Sequence, residues 1–340
     1  MPTIGNLALT FNDLRKRQAP DGTIDHIVET LQQSNPIIED IPWKQGNLPI
    51  GNLTTQRTSL PSPTIRAINS GVKPTKSSTK QVTDTCCILQ DRSEVDVELL
   101  RLEPDPQAFR RSEDDAHVEG FSQKVASMIF YGDSDENVDE FNGLAKRYGT
   151  FGGKKGEASW QVINAGGTTE KKMTSAWLVG WGERAVTGIY PKYGYAGLKQ
   201  EDLGEQDATD AKGGKYRVVS TLFTWKLGLA VPDLREVAAL RNIDLNKLSL
   251  ASTTASDKRR IIELMTAAKN RMRKLDGVAA VWYVSTGLYT FLENYLVDKS
   301  NISVTRDTLE NGGPLLRLSG IPVKKVDAIS EEEAVIIEAK

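Results

Sequence analysis

Apolar residues recur along this chain with two periods. Val118, Phe121, Val125, Met128 and Ile129 return every three or four positions, which predicts an amphipathic helix over 112–131. Ser112 stands where a cap belongs, Glu113, Asp114 and Asp115 suit the positive end of the helix dipole, and Tyr131-Gly132-Asp133 stops it. A second helix is predicted from Ser256, with Ile261, Leu264, Met265, Ala268 and Met272 on its buried face and Gly277 ending it. Leu288, Phe291, Leu292, Tyr295 and Leu296 carry the same spacing for a third. Elsewhere the period is two. Val95, Val97 and Leu99 alternate with Glu94, Asp96 and Glu98, and 216–231 alternates well enough for paired strands. Residues 175–195 read as strands and turns, 207–215 as a polar turn, 278–285 as a strand and 315–326 as a closing strand pair. A last apolar run, 334–337, follows Glu331, Glu332 and Glu333. The fold class predicted is α+β, without an internal repeat.

The front third differs. Ten of the 14 prolines lie at or before Pro106, and of the 23 aromatic residues only Phe11 and Trp43 fall there. Proline removes backbone donors and aromatics supply the largest apolar areas, so this stretch has little means of burying itself. Short apolar segments such as Ile37, Ile38, Ile41 and Trp43 nevertheless set it apart from a disordered chain. Two readings stay open: a flexible tail, or an extended arm that becomes ordered on other subunits. In the second, Phe11, Ile41 and Trp43 are the candidate intersubunit contacts. Residues 45–85, rich in Ser, Thr, Pro, Gly and Asn, read as a long projecting loop returning on a two-stranded stem.

Charge and composition narrow the function. Against 43 basic side chains stand 45 acidic ones, and a net charge of −2 lacks the strong cationic field of a dedicated nucleic-acid binder. No run of 18 apolar residues predicts a membrane span, and the charged start MPTIGNLALTFNDLRKRQ is unlike a signal peptide. The two cysteines, Cys86 and Cys87, are adjacent and staple nothing, which points to assembly in a reducing cytosol. His26 and His117 have no cysteine near them in sequence, so no metal site is assigned.

Several segments invite a chemical reading and each has a plainer one. Gly180-Trp181-Gly182-Glu183-Arg184-Ala185 matches a dinucleotide pattern, but β-like residues and Pro191 follow where a helix must start; two glycines easing close packing in a strand is the plainer account. Gly152-Gly153-Lys154-Lys155-Gly156 lacks phosphate-loop spacing and reads as a mobile basic loop, with nucleic-acid backbone contact the lesser option. Lys258, Arg259, Arg260, Lys269, Arg271, Arg273 and Lys274 read as the wet face of a helix, with DNA contact again the lesser option. Asp133, Asp135, Glu136, Asp139 and Glu140 lack the order of a calcium loop and read as a solvated helix start capped by Asp135 or Asn137. Nothing near Cys86 and Cys87 would lower their pKa, and no G-x-S-x-G elbow occurs. No catalytic, cofactor or metal residue is predicted, and no enzyme.

Phe141-Asn142-Gly143-Leu144-Ala145-Lys146-Arg147-Tyr148, following the long helix and Asn137-Val138-Asp139-Glu140, resembles the major capsid proteins of tailed bacteriophages. Ser175-Ala176-Trp177-Leu178-Val179-Gly180-Trp181-Gly182, Gly188-Ile189-Tyr190-Pro191 and Leu240-Arg241-Asn242-Ile243-Asp244 extend the resemblance to the group typified by the short-tailed Salmonella phage epsilon 15 and its Bordetella relatives. It runs over essentially the whole chain. It implies a Hong Kong 97-like fold: an N-terminal arm at 1–42, an extended loop at 43–96, a mainly peripheral domain at 97–245 with its spine helix at 112–131, an axial domain at 246–326, and a terminal strand at 327–340 returning to the peripheral domain.

The same resemblance implies pentamers and hexamers of an icosahedral head around double-stranded DNA, touched non-specifically, in a virion assembled in the host bacterial cytoplasm. Implied partners besides further copies of the chain are a scaffolding protein, a portal protein and a cement or decoration protein. An encapsulin-like compartment shell is the close alternative, and a nucleotide-binding enzyme using 180–185 the alternative of another class. Arms and loops that order across neighbours suit a shell, because modest contacts repeated many times give stability without trapping errors at first contact. No lysine-to-asparagine crosslink motif is identified, so the expected stabilisation is non-covalent.

Overall fold

The computed structural model describes residues 33–210, 212–248, 255–273, 277–296, 304–308 and 314–339. Phe11, His26, Lys274 and the first 32 positions of the predicted arm lie outside the described residues. The described residues divide into two compact units: those of 34–87, 126–195 and 227 onward form the larger, and those of 88–125 and 196–226 the smaller.

In the larger unit α1 (Ile37–Asp40) and β1 (Trp43–Gln45) lead into β2 (Gly51–Ser59). That strand pairs antiparallel with the first part of β3 (Ser78–Asp96), from Gly51 opposite Thr85 to Ser59 opposite Ser78. A two-stranded stem is present, but its paired residues lie inside 45–85, the stretch read as loop, rather than at 94–99, and the loop proper is exposed at every position of 60–76. β6 (Thr187–Tyr190) runs parallel to β1 and antiparallel to the end of β8 (Lys215–Ala230), giving the order β1-β6-β8-β3-β2.

A seven-stranded mixed sheet forms the centre of this unit. Its order is β11 (Val304–Thr308), β12 (Pro314–Leu318), β13 (Ile321–Lys325), β10 (Ala279–Val284), β5 (Met173–Trp181), β9 (Val237–Asp244) and β4 (Val162–Asn164). All nine residues of β5 are buried, because both faces of the sheet are covered. On one face Ala176 and Leu178 join Ile261, Met265 and Ala268 of α5 (Ala255–Arg271) and Leu288, Phe291 and Leu292 of α6 (Thr286–Leu296). Trp177 points to the opposite face, where its ring lies 6.4 Å from Phe130 and 6.3 Å from Tyr148. Each such large side chain contributes roughly 1.5–3 kcal/mol on burial.

The smaller unit holds the rest of β3, α2 (Val97–Leu102), most of α3 (Pro106–Tyr131) and the hairpin of β7 (Leu198–Thr209) with β8. Val95, Leu99, Leu100 and Phe109 form its small core, and Phe223 lies against Phe121 and His117.

Four predictions need correction. The long helix starts at Pro106 rather than Ser112, since proline suits a first helical position and Asp105 Oδ1 accepts from the Gln107 and Ala108 N–H groups. The strand predicted through Leu99 ends at Asp96, whose side chain accepts from Glu98 N and caps α2. The predicted pair within 216–231 is one strand, and its partner β7, reading LKQEDLGEQDAT, carries no hydrophobic alternation. The apolar run 334–337 forms no strand, and this end of the chain is held by the isolated bridges Met173 to Glu333 and Phe151 to Glu338.

Candidate functional site

The motifs that single out this chain converge on the anchoring of its extended segments. In the run from Phe141 to Tyr148, Phe141, Leu144 and Tyr148 are fully buried, and Tyr148 donates its hydroxyl to Leu234 O at 2.8 Å. A Cβ on Gly143 would lie 2.6 Å from Met128 O, so only glycine lets this turn close against the helix. Arg147, on α4 (Leu144–Arg147), donates to Asn142 O at 3.0 Å, to Leu229 O at 3.0 Å and to Asp84 Oδ1 at 2.7 Å. Asp84 is buried in β3, so this ion pair locks the root of the β2–β3 hairpin to the turn and to β8. In the sequence Arg147 stands out only as part of the resemblance; two of its three acceptors, on Asp84 and Leu229, lie in distant segments, and nothing in the spacing announces them.

The carboxyl-terminal segment is anchored by a second buried group. Glu333 Oε1 accepts from Tyr131 at 2.6 Å and from Ser175 Oγ at 2.5 Å, while Oε2 accepts from Arg241 at 3.1 Å. Trp177 Nε1 donates to Ser175 Oγ at 2.8 Å, and the Arg241 guanidinium lies over the Trp177 ring at 5.3 Å. Burial, followed by the Glu333 charge, pushes the Tyr131 hydroxyl far above its ordinary range, so it stays a donor. Asn242, held at a φ of 58°, donates its amide to Ile336 O at 3.1 Å and accepts from Ile336 N at 2.9 Å. The side-chain amide thus replaces a strand neighbour.

The segment after Gln33 is tied down in the same way. Asp40 accepts from Tyr283 at 2.7 Å and from Lys324 at 2.6 Å, and Trp181 Nε1 donates to the same tyrosine hydroxyl at 2.7 Å. Ile37 is fully buried and Ile41 is 4% exposed within its own chain. A Cβ at Gly188 would lie within 2.6 Å of Trp43, which explains the glycine in Gly188-Ile189-Tyr190-Pro191. Of the predicted intersubunit residues, Ile41 therefore packs inside its own unit, Trp43 is half-buried, and Phe11 lies outside the described residues.

The segments considered for chemistry take other roles. Gly180 and Trp181 lie in the buried strand β5, and a Gly180 Cβ would meet Glu236 O at 3.2 Å, so close packing accounts for the glycine. Burial raises the Cys86 thiol to about 11 and the Cys87 thiol to about 12, the reverse of an activated nucleophile. Asp133 to Glu140 form turns instead of the predicted helix start, because Lys146 draws Asp133 and Asp135 together at 2.9 and 2.6 Å. Arg271 leaves the predicted wet face to stack on Trp160 and donate to Val162 O at 3.1 Å, and Arg273 pairs with Asp233 at 3.2 Å. Among the described residues no group of three His, Cys, Asp or Glu side chains is placed to hold a metal, and no helix is long and apolar enough to cross a membrane.

A two-stranded projection, a long helix and a helix-covered sheet with both chain segments strapped to it define an α+β fold of the Hong Kong 97-like capsid class. The family described as Major capsid protein GP7 matches residues 19–337, and the chain belongs to that family. A chain in the near-atomic structure of bacteriophage Epsilon15 is similar at 28% identity and a TM-score of 0.73, with 100% of each chain covered. The capsid of bacteriophage JBD30 shares the fold at 10% identity and a TM-score of 0.52, covering 90% of this chain and 95% of that one. No curated protein matches. The protein is a major capsid protein, the shell subunit of a tailed bacteriophage.

Proposed function

We propose that the chain assembles with copies of itself into pentamers and hexamers of an icosahedral head enclosing double-stranded DNA. The observation that carries this reading is the match, end to end on both chains, with the Epsilon15 structure at 28% identity. In this reading 1–42 is the N-terminal arm, 43–96 the extended loop, 97–245 mainly the peripheral domain with α3 as its spine, 246–326 the axial domain and 327–340 the returning terminal segment. Burial of Ile37 and Ile41 at home leaves the part of the arm before Ser34 to reach other copies. Trp43, half-buried, keeps surface for a neighbour, and Phe11 is the aromatic anchor of the outer arm. Assembly takes place in the host bacterial cytoplasm with a scaffolding and a portal protein, and a cement protein reinforces the virion. DNA is met through non-specific phosphate contact.

Expression followed by sedimentation and electron microscopy tests this directly. The unaltered chain is expected to form closed shells, and a chain lacking residues 1–32 to remain folded while giving few or fragile particles. Discrete monomers or dimers of the full chain in every condition, with and without its neighbouring genes, would count decisively against the reading.

A further inference from the structure

The loop carried by the β2–β3 stem combines two features that a free surface loop has no reason to combine. Ile65 and Ile68 are 104% and 93% exposed, and Leu60 and Val72 are also open to solvent. Across the loop the charge is wholly positive: Arg66, Lys73 and Lys76 are present and 60–77 holds no acidic residue. None of these three cations has a carboxylate partner among the described residues, and Arg66 Nε donates instead to Ser70 O at 2.6 Å. That bond and the one from Ser70 N to Ala67 O at 3.2 Å close a turn, with Asn69 in the left-handed region at a φ of 66°. The turn holds the isoleucines on display. Aliphatic side chains add nothing to a phosphate contact, whereas an apolar centre with a charged rim is the composition of a protein interface.

The same chain carries a surface of opposite sign. From Gly132 to Leu144 there are five carboxylates and no base. Lys146 neutralises Asp133 and Asp135, but Glu136 and Asp139 have no cationic partner among the described residues. Between these two lies Val138, 88% exposed. An apolar side chain flanked by uncompensated acids is complementary to isoleucines flanked by uncompensated bases.

We infer that the loop at 60–77 docks on the turn at 133–140 of a second copy of the chain, Ile65 and Ile68 meeting Val138 while Arg66, Lys73 and Lys76 face Glu136 and Asp139. The inference rests on the shell reading above and names the receiving surface for its extended loop. Opposed charges steer the encounter and penalise wrong partners, and the small apolar contact keeps a single docking weak enough to be corrected during assembly.

A charge exchange tests it. Four full-length chains are expressed: the unaltered one, R66E/K73E/K76E, E136K/D139K, and the combination of all five substitutions. Every altered side chain is exposed, and thermal melting of unassembled protein checks that each chain is folded. Each set alone is expected to lower the yield of closed particles by at least about tenfold near 0.15 M salt, and the combination to recover most of it. Particle yield unchanged in E136K/D139K overturns the docking while leaving the shell reading intact. Loss in both sets without recovery in the combination overturns the pairing. Normal shells that retain less DNA in R66E/K73E/K76E overturn it in favour of a DNA-facing loop. Failure of the unaltered chain to form any shell removes the shell reading and this docking with it.

Discussion

Strand β5 and the loop at 60–77 lie in the same compact unit and face opposite demands. The nine residues of β5 are all buried between two helices and a layer of aromatic rings. The loop, twice as long, is exposed through 60–76. Both contain large apolar side chains, so hydrophobicity alone does not separate them. What differs is whether the chain supplies its own cover. In β5 each side chain meets residues distant in sequence within the same unit, and substitution acts on folding. In the loop the isoleucines meet nothing at home, and substitution acts on what the folded protein does with its copies.

The comparison is open to direct attack. The largest effect is expected from Trp177→Ala, which empties the space between Phe130 and Tyr148 and strips Ser175 of a donor. It should destabilise the unassembled chain by about 3–5 kcal/mol, read by denaturant unfolding. A loss below about 1 kcal/mol would mean that the aromatic layer does not hold the sheet.

Glu333→Ala comes next. It leaves the buried Arg241 and Tyr131 without their shared acceptor, and about 3 kcal/mol of destabilisation is expected on chemical denaturation. Faster proteolysis of the last ten residues should accompany it, since the anchor of that segment is gone. An intact terminus in this variant would show that the Asn242 clamp suffices.

The smallest effect on folding is expected from Ile65→Ser with Ile68→Ser. Exposed positions away from any buried contact shift stability by under about 0.5 kcal/mol. The same pair should reduce particle yield. A fall in melting temperature to match Trp177→Ala would erase the contrast between the two regions.

Much of the fold could be read in advance where the period of the apolar residues was strong. The helix around Phe121 and Val125, the strand before Thr286 and the helix carrying Leu288 and Phe291 all stand where periodicity placed them. Errors gathered where local signals compete. Ser112 looked like a cap, but Asp105 and Pro106 make a better one six residues earlier. Polar β7 escaped notice because its regularity lies in backbone pairing with β8 and leaves no trace in side-chain pattern. The anchors were harder still: Arg147, Glu333, Asn242 and Asp40 each join segments separated by dozens to hundreds of positions. The segments that carry the family resemblance contain Arg147 and Asn242 and bond to Glu333, so the resemblance is legible before its physical cause.

The amino-acid sequence by itself determined the class of elements, the poverty of the front third in aromatic residues and the membership of a shell-forming family, because propensity, period and composition are local properties. Only the tertiary structure decided that Ile37 and Ile41 are covered within their own chain while Ile65 and Ile68 are not. Four isoleucines in similar proline-rich surroundings are indistinguishable in one dimension. Their burial depends on which distant strands and helices close over them, and that is settled only when the chain has folded.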